Sequence, residues 1–329
     1  MSEALTVFSP AKVNLHLAIG AKRADGYHDA CSVMHALTLH DTVTVRHEQD
    51  APGASLQVDV HCDVHGGVAE LDVAPRDNIA SKALFKLVTA FGQRCSGHRF
   101  EVRIDKRIPH AAGLGGGSSN AAAAMLAACR ILGIDPTSPE VLAVAATVGA
   151  DVPFFLHGGC AQLGGRGDIF ERPLAPMEGS VVLVRPDAGV STAQAYRAFD
   201  DDPRPVSAEE RAGLLRASSA ADLVLFNNLA PASEACLPEL ATIRSWLCGM
   251  PGVARDRETG EPRVLLSGSG SATFGICESM ADAYAIVAEA KRRGWWARSC
   301  SFSPAGVRIV ENAPRRASAT NVGAMRAGR

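Results

Sequence analysis

The sequence predicts a mixed α/β (α+β) protein built as two lobes, and three observations support this. The chain has 329 residues, enough for about two domains of roughly 150 residues each. Strand-like segments dominate the first half and surround a strongly helical, alanine-rich run. After residue 158 the pattern changes to short strands and helices. We therefore predict one domain over 1–158, a second over 159–310 and a disordered tail over 311–329.

Local periodicity predicts each element of the first half. Alternating apolar residues predict a strand over 13–19, followed by a turn at Asp25-Gly26. Further strands are predicted over 41–47, 56–60 and 100–104. Helical spacing predicts helices over 78–91, 118–132 and 139–148, the last stopped near Gly149. An apolar run predicts one more strand, over 152–156.

Turn and cap residues organise the second half. Strands are predicted over 181–185, 263–266 and 272–277, the last two joined by a turn of serine and glycine. A loop over 200–205 separates helical stretches. Ser279 is a suitable N-cap for a helix over 279–293, which Gly294 ends.

Composition excludes several classes of protein. With 47% hydrophobic and 21% charged residues, the chain resembles ordinary globular proteins rather than collagen or disordered chains. A net charge of -2 lacks the positive excess typical of nucleic-acid binding. Nine cysteines without a C-x-x-C pair indicate neither a disulfide framework nor a zinc site. The longest apolar run, 121–129, is too short to cross a bilayer, so we expect a cytoplasmic protein without nucleic-acid or membrane partners.

A glycine-rich segment between a predicted strand and the alanine-rich helix is the most informative motif. Glycines permit positive φ and close ligand approach, and a helix start presents free N–H groups to an anion. No lysine follows Gly117, which excludes a Walker A loop, and Ser118 stands where a dinucleotide fingerprint needs glycine. The segment therefore predicts a phosphate-binding loop. Its residues are Pro109, His110, Ala111, Ala112, Gly113, Leu114, Gly115, Gly116, Gly117, Ser118, Ser119 and Asn120.

This loop resembles the phosphate-binding motif of the GHMP kinases, the superfamily of galactokinase, homoserine kinase and mevalonate kinase. Segments 10–15 (PAKVNL) and 266–271 (LSGSGS) resemble the other two superfamily motifs, in the same order along the chain. The resemblance implies a ribosomal-protein-S5-domain-2-like N-terminal lobe and a ferredoxin-like C-terminal lobe. It also implies ATP and Mg²⁺ as cofactors.

Two further segments resemble one branch of the superfamily. They are 23–28 (RADGYH) and 149–154 (GADVPF). The implied reaction is phosphorylation of the 2-hydroxyl of 4-diphosphocytidyl-2-C-methyl-D-erythritol, a cytidine diphosphate ester, in non-mevalonate isoprenoid biosynthesis. Two alternatives stay open: a GHMP kinase acting on homoserine or a mevalonate derivative, and a catalytically silent nucleotide-binding sensor.

The resemblance also implies roles for particular residues. Asp151 would accept the proton of the substrate hydroxyl, and Lys12 would be its cationic partner. Asn14 shares the strand face of Lys12 and would bind the erythritol part. Tyr27 and His28 would bind the cytidine, with Tyr196 on the other side of the base.

The remaining implied contacts belong to ATP. Asn78 and Lys106 would lie near the adenine. Ser118 could contact Mg²⁺, and the sequence shows no cluster of carboxylates dedicated to a metal. The C-terminal turn would line the cleft opposite the phosphates. Its residues are Ser267, Gly268, Ser269 and Gly270.

Overall fold

A long antiparallel strand pair is the base of the first sheet in the computed structural model, which describes residues 3–49, 55–69, 73–92 and 97–310. β1 (Glu3–Lys22) pairs with β2 (His28–Gln49), and the Asp25-Gly26 turn connects them. β4 (His98–Lys106) runs antiparallel to β2, and β3 (Gln57–Val64) runs parallel to β4 at the sheet edge. The strands predicted over 13–19, 41–47 and 100–104 are thereby confirmed.

β1 is irregular where it carries candidate site residues. Its register against β2 shifts between Pro10 and Lys12 and again between Asn14 and His16. Such bulges change the direction in which strand side chains point. Lys12 and Asn14, two residues apart, share the face that looks into the cleft described below.

Later parts of the chain extend the first sheet. β5 (Cys160–Gly164) pairs with β2 and with β6 (Ile169–Leu174). The short β8 (Phe226–Asn227) and β12 (Arg308–Val310) both add to β1. The first sheet therefore takes strands from both sides of residue 158, and the boundary placed there stays a prediction. The predicted tail, 311–329, lies outside the described residues.

Four helices pack with the first sheet around one core. They are α1 (Ile79–Ala90), α2 (Gly116–Leu132), α3 (Pro139–Val148) and α4 (Val152–His157). The alanines of α2 are all fully buried, and their small side chains let α1, α4 and β1 approach closely. The helices predicted in this region are confirmed, with Asn78 and Ser138 as side-chain N-caps.

The prediction of a strand over 152–156 was wrong, because this segment is helix α4. A short apolar run does not distinguish a buried strand from a buried helix by periodicity alone. Pro153 occupies the first turn, where its missing N–H costs nothing and its fixed φ suits a helix. Phe154 and Phe155 are fully buried in the core that α2 shares.

The second sheet consists of β7 (Ser180–Arg185), β9 (Val264–Leu266), β10 (Thr273–Cys277) and β11 (Trp296–Ser301). Its strand order is β11-β7-β10-β9, and it is antiparallel throughout. With helices after the first and third strands, the chain follows a β-α-β-β-α-β path, which confirms the ferredoxin-like C-terminal lobe. α8 (Glu239–Cys248) and α9 (Met280–Arg292) pack on one face, and Ser279 caps α9 as predicted.

The other face of the second sheet packs against the first sheet. Val181, Leu183 and Phe274 share one buried cluster with Val13 and Leu15 of β1. The three remaining helices are α5 (Thr192–Asp201), α6 (Ala208–Arg216) and α7 (Ala230–Cys236). Within the described ranges, none of the helices combines the length and apolar character that crossing a bilayer requires.

Candidate active site

The glycine-rich loop folds against the C-terminal turn. At Gly113 (φ +73°), a Cβ would lie 2.0 Å from the carbonyl oxygen of Ser267. At Gly115 (φ +69°), the residue that caps α2, a Cβ would lie 2.7 Å from the ring of Phe155. Both positions therefore require glycine for space as well as for backbone angle. The first turn of α2 then presents its free N–H groups at the end of this loop.

A buried polar network supports the loop from below. Asp41 is fully buried and accepts hydrogen bonds from Lys106 Nζ, from Asn120 Nδ2 (2.9 Å) and from the N–H of Ile108 (2.8 Å). Ser9 joins the side chains of Asn120 and Ser119 in the same network. Three predicted ATP contacts, Lys106, Ser119 and Asn120, thus have protein partners beneath the loop. Sequence reasoning missed Asp41, because its partners lie far away along the chain.

Lys12 and Asp151 meet beside the loop. Lys12 Nζ lies 3.5 Å from Asp151 Oδ2, and their side chains are 5% and 26% exposed. The Lys12 backbone N–H donates to the carbonyl of Leu114 (3.0 Å), which joins β1 to the loop. Asp151 stands at the start of α4, directly after α3. The structure therefore brings together a nearly buried ammonium and a carboxylate that reaches solvent.

Asn14 connects this pair to the C-terminal turn. Its side-chain oxygen accepts from Lys12 Nζ (2.6 Å), and its Nδ2 donates to Ser32 Oγ (2.8 Å). Ser267 Oγ donates to the carbonyl of Gly113 (2.9 Å) and accepts from the Asn14 N–H (3.3 Å). All three superfamily-like motifs are therefore joined by direct hydrogen bonds.

Asn227 holds the C-terminal turn in place. Its Nδ2 donates to the carbonyls of Leu266 (2.9 Å) and Gly268 (2.8 Å). On the outer side, Ser269 Oγ lies 3.0 Å from Thr192 Oγ1. Sequence reasoning missed Asn227 and Thr192, because a single polar residue at the end of a short strand or at the start of a helix is not a distinctive sequence signal.

A first cavity of about 280 Å³ opens over these groups. It lies between the glycine-rich loop and the C-terminal turn. Lys12 and Asn14 of β1 and Asp151 at the start of α4 also line it. Its lining includes Lys12, Asn14, Gly113, Gly115, Asp151, Arg166, Thr192, Tyr196, Gly268 and Ser269.

A second cavity of about 690 Å³ lies alongside it. Its lining includes Tyr27, His28, Ala150, Arg166, Thr192, Tyr196, Arg197 and Asp200. Tyr27 is 55% exposed, as an aromatic platform would be, and the rings of His28 and Tyr196 are 5.5 Å apart. Ala150, Arg166, Thr192 and Tyr196 line both cavities, which are thus two parts of one cleft.

His28 has protein partners on both ring nitrogens. Nε2 lies 2.8 Å from Asp200 Oδ1, and Nδ1 lies 3.0 Å from the carbonyl oxygen of Gly20. A hydrogen bond from Lys22 lowers the pKa of Asp200, so this carboxyl is a carboxylate at neutral pH. His28 therefore lines the second cavity with both ring nitrogens already engaged by protein groups.

Tyr196 keeps its hydroxyl proton in the cleft. Burial, with a smaller contribution from Asp151, raises the pKa of Tyr196 to about 12. The hydroxyl is therefore a hydrogen-bond donor at neutral pH.

Asn78 lies apart from these groups. Its Oδ1 accepts from the N–H of Ala80 (2.9 Å) and caps α1. Neither Asn78 nor Lys106 lines either cavity described above.

Comparisons with known proteins agree with this geometry. Residues 78–159 match the family model of the GHMP kinase N-terminal domain, which gives the class of protein. The chain is 35% identical over 295 residues to the 4-diphosphocytidyl-2-C-methyl-D-erythritol kinase of Pelotomaculum thermopropionicum, covering 88% of this chain and 94% of that one. For the enzyme of the same name from Nocardioides sp. the identity is 36% over 297 residues, covering 87% and 93%. The chain belongs to the 4-diphosphocytidyl-2-C-methyl-D-erythritol kinase family.

Solved structures give the same result for the fold. A crystal structure of 4-(cytidine 5'-diphospho)-2C-methyl-D-erythritol kinase aligns with a TM-score of 0.65 and 31% identity, covering 92% of this chain and 99% of that chain. Homoserine kinase from Cytophaga hutchinsonii aligns with a TM-score of 0.62 at 16% identity, covering 93% and 97%. At that identity the second likeness concerns the fold alone.

Proposed function

We propose that this chain transfers the γ-phosphate of ATP to the 2-hydroxyl of 4-diphosphocytidyl-2-C-methyl-D-erythritol. The observation that carries the proposal is the pairing of Lys12 with Asp151 at the glycine-rich loop, inside a cleft that continues to an aromatic cavity. The polyol end of the substrate occupies the first cavity, and the cytidine end occupies the second. A kinase for homoserine or mevalonate would have no use for the larger cavity, because its substrate lacks a nucleoside.

ATP binds with its phosphates at the glycine-rich loop. The N–H groups and the positive dipole end of α2 stabilise the phosphate charge. Ser118 is half-buried, and its Oγ lies 3.6 Å from where a Cβ would stand at Gly149, beside the Asp151 segment. This hydroxyl fits a Mg²⁺ ion held mainly by phosphate oxygens and water. Bound Mg²⁺ would neutralise phosphate charge during transfer.

Asp151 receives the proton of the attacking hydroxyl. Phosphoryl transfer needs alignment and charge stabilisation more than covalent help, and the proton leaves late. The Lys12 ammonium lies 3.5 Å from Asp151 Oδ2, where it can stabilise the negative charge of the transferring phosphoryl group. Asn14 positions Lys12 through their 2.6 Å hydrogen bond.

The cytidine lies against Tyr27 in the second cavity, with Tyr196 on the side toward the first. An exposed tyrosine ring offers a flat face for stacking. The protonated hydroxyl of Tyr196 is available to an acceptor on the substrate.

The test is an ATP-dependent phosphorylation assay with Asp151→Asn and a matched control, Asp59→Asn. The wild type should phosphorylate the cytidylylated polyol and leave homoserine, mevalonate and the free polyol unchanged. Asp151→Asn should lower kcat by about 10²–10⁴-fold, the usual range for a general base. Asp59 is a half-exposed residue of β3 paired with Arg99, so Asp59→Asn should retain activity.

Each alternative has its own result. Turnover of homoserine or mevalonate would favour another GHMP kinase activity. Nucleotide binding without turnover of any acceptor would favour a sensor. Near-full activity of Asp151→Asn would exclude this carboxylate as the base.

A further inference from the structure

Arg166 lies at the boundary between the two cavities. It is in the β5–β6 turn, and it is the cationic member of the four residues that line both. The turn is attached to β2, because the Ala30 N–H donates to the carbonyl of Gly165 (2.7 Å). The guanidinium therefore has a defined place in the cleft.

Two contacts orient the guanidinium. Its carbon lies 4.8 Å from the centroid of the Tyr27 ring, a cation–π distance. Nη2 and Nε lie 2.9 and 3.3 Å from Asp168 Oδ2, and the Asp168 side chain is only 13% exposed. Asp168 also accepts from the Arg166 backbone N–H (3.0 Å), which closes the turn.

The opposite edge of the guanidinium remains available. Within the described part of the chain, Nη1 of Arg166 has no hydrogen-bond acceptor, and the side chain is 40% exposed. A guanidinium has five N–H donors arranged to bind phosphate oxygens in pairs. Arg166 can therefore keep Asp168 and Tyr27 and still offer donors to an anion in the cleft.

The proposed substrate supplies an anion at this boundary. Its diphosphate joins the nucleoside to the polyol, so it must cross from the second cavity to the first. We propose that Arg166 binds the diphosphate of the cytidylyl substrate and thereby selects a nucleoside diphosphate ester over an uncharged nucleoside. This assignment rests on the proposed function for the direction in which the substrate lies.

The nearby cations are less suited to this role. Lys22 is paired with Asp200. Arg197 lines only the second cavity, and Lys12 is engaged by Asn14 and Asp151 in the first.

The experiment compares CDP with cytidine by calorimetry, on the full chain and on Arg166→Gln. The wild type should bind CDP more tightly than cytidine. Arg166→Gln should lose about 10–100-fold in CDP affinity, the value of one or two charged hydrogen bonds, and less than about 2-fold in cytidine affinity. Higher salt should weaken CDP binding more for the wild type than for the variant.

Two further variants keep the test decisive. Arg166→Lys retains the charge without the paired geometry and should bind CDP with intermediate affinity. Arg46→Gln removes a cation that is 59% exposed on β2 and lines neither cavity, and it should bind both ligands like the wild type. Thermal unfolding of each variant verifies that it is folded.

The outcomes separate this inference from the proposed function. Equal losses of CDP and cytidine affinity in Arg166→Gln would show that Arg166 only supports Tyr27 and would overturn the inference. Unchanged CDP affinity would overturn it as well. If the wild type shows no acceptor-dependent ATP consumption but the CDP-specific loss is observed, the proposed reaction fails while the diphosphate contact stands.

Discussion

At the scale of single residues, the cleft depends on side chains that position other side chains. Asp200 is an example: it faces His28 and Lys22 from α5 and lines the second cavity. Sequence reasoning selected His28 as a candidate from a motif but did not find Asp200, because α5 is far from that motif along the chain. A role in positioning His28 is testable through the substrate dependence of the rate.

We predict that Asp200→Asn raises KM for the cytidylyl substrate about 10-fold and changes kcat and the KM for ATP by less than about 2-fold. A 10-fold rise in KM corresponds to the binding free energy of one charge-assisted hydrogen bond, here the bond between Asp200 and His28. Steady-state kinetics with each substrate varied in turn measures this. Asp201→Asn, at the neighbouring exposed position, is the control. An equal rise in KM for ATP would contradict a role confined to the second cavity.

At the scale of elements, the glycine-rich loop was readable from the sequence, whereas its packing partner was not. Glycine, serine and an alanine-rich run are local signals for a loop that opens a helix. The contact between Gly113 and Ser267 joins two loops more than 150 residues apart, so spacing along the chain contains no information about it. The short helix α4 shows a related limit, because its apolar run suits either element until the core around it is known.

The close approach at Gly113 predicts a large effect of one added methyl group. Gly113→Ala should lower the free energy of unfolding by about 1–3 kcal/mol more than Gly133→Ala and should raise KM for ATP. Gly133 has a similar φ of +65° but no neighbour within 4 Å, so its alanine variant measures backbone strain alone, about 1 kcal/mol. Urea unfolding of both variants makes the comparison. Equal losses would mean that the loop and the turn separate without cost.

At the scale of the whole molecule, buried neutral histidines connect parts of the chain that are far apart in sequence. His35 donates from Nδ1 to the carbonyl of Ala36 (2.9 Å), and its Nε2 accepts from the N–H of Met177 (3.0 Å). His16 is buried and stacks on Phe226 at 5.0 Å. Burial lowers the pKa of each to about 4. In the unfolded chain both would titrate near the ordinary value of about 6.5.

These shifts predict acid sensitivity of the fold. The unfolded state takes up protons first, so the histidines stabilise the fold fully above pH ~6.5, and this stability is lost as the pH falls toward ~4. Between pH 7 and pH 5, each histidine should lower the free energy of unfolding by about 2 kcal/mol. Urea unfolding at pH 7 and at pH 5 measures how far the free energy of unfolding falls between the two. In His35→Gln this fall should be smaller than in the wild type by about 2 kcal/mol. His61→Gln, an exposed control on β3, should show the wild-type loss. An undiminished loss in His35→Gln would refute the assignment.

The sequence by itself determined most of the elements, the position of the glycine-rich loop and the family, because strand alternation, helix caps and ordered motifs are local properties of the chain. Only the tertiary structure decided which side chains meet: Lys12 with Asp151, Lys106 with the buried Asp41, and Arg166 with Tyr27. The physical reason is that these pairs form across elements brought together by burial of two sheets and their helices. Neither charge nor spacing along the chain specifies such partners before the core is assembled.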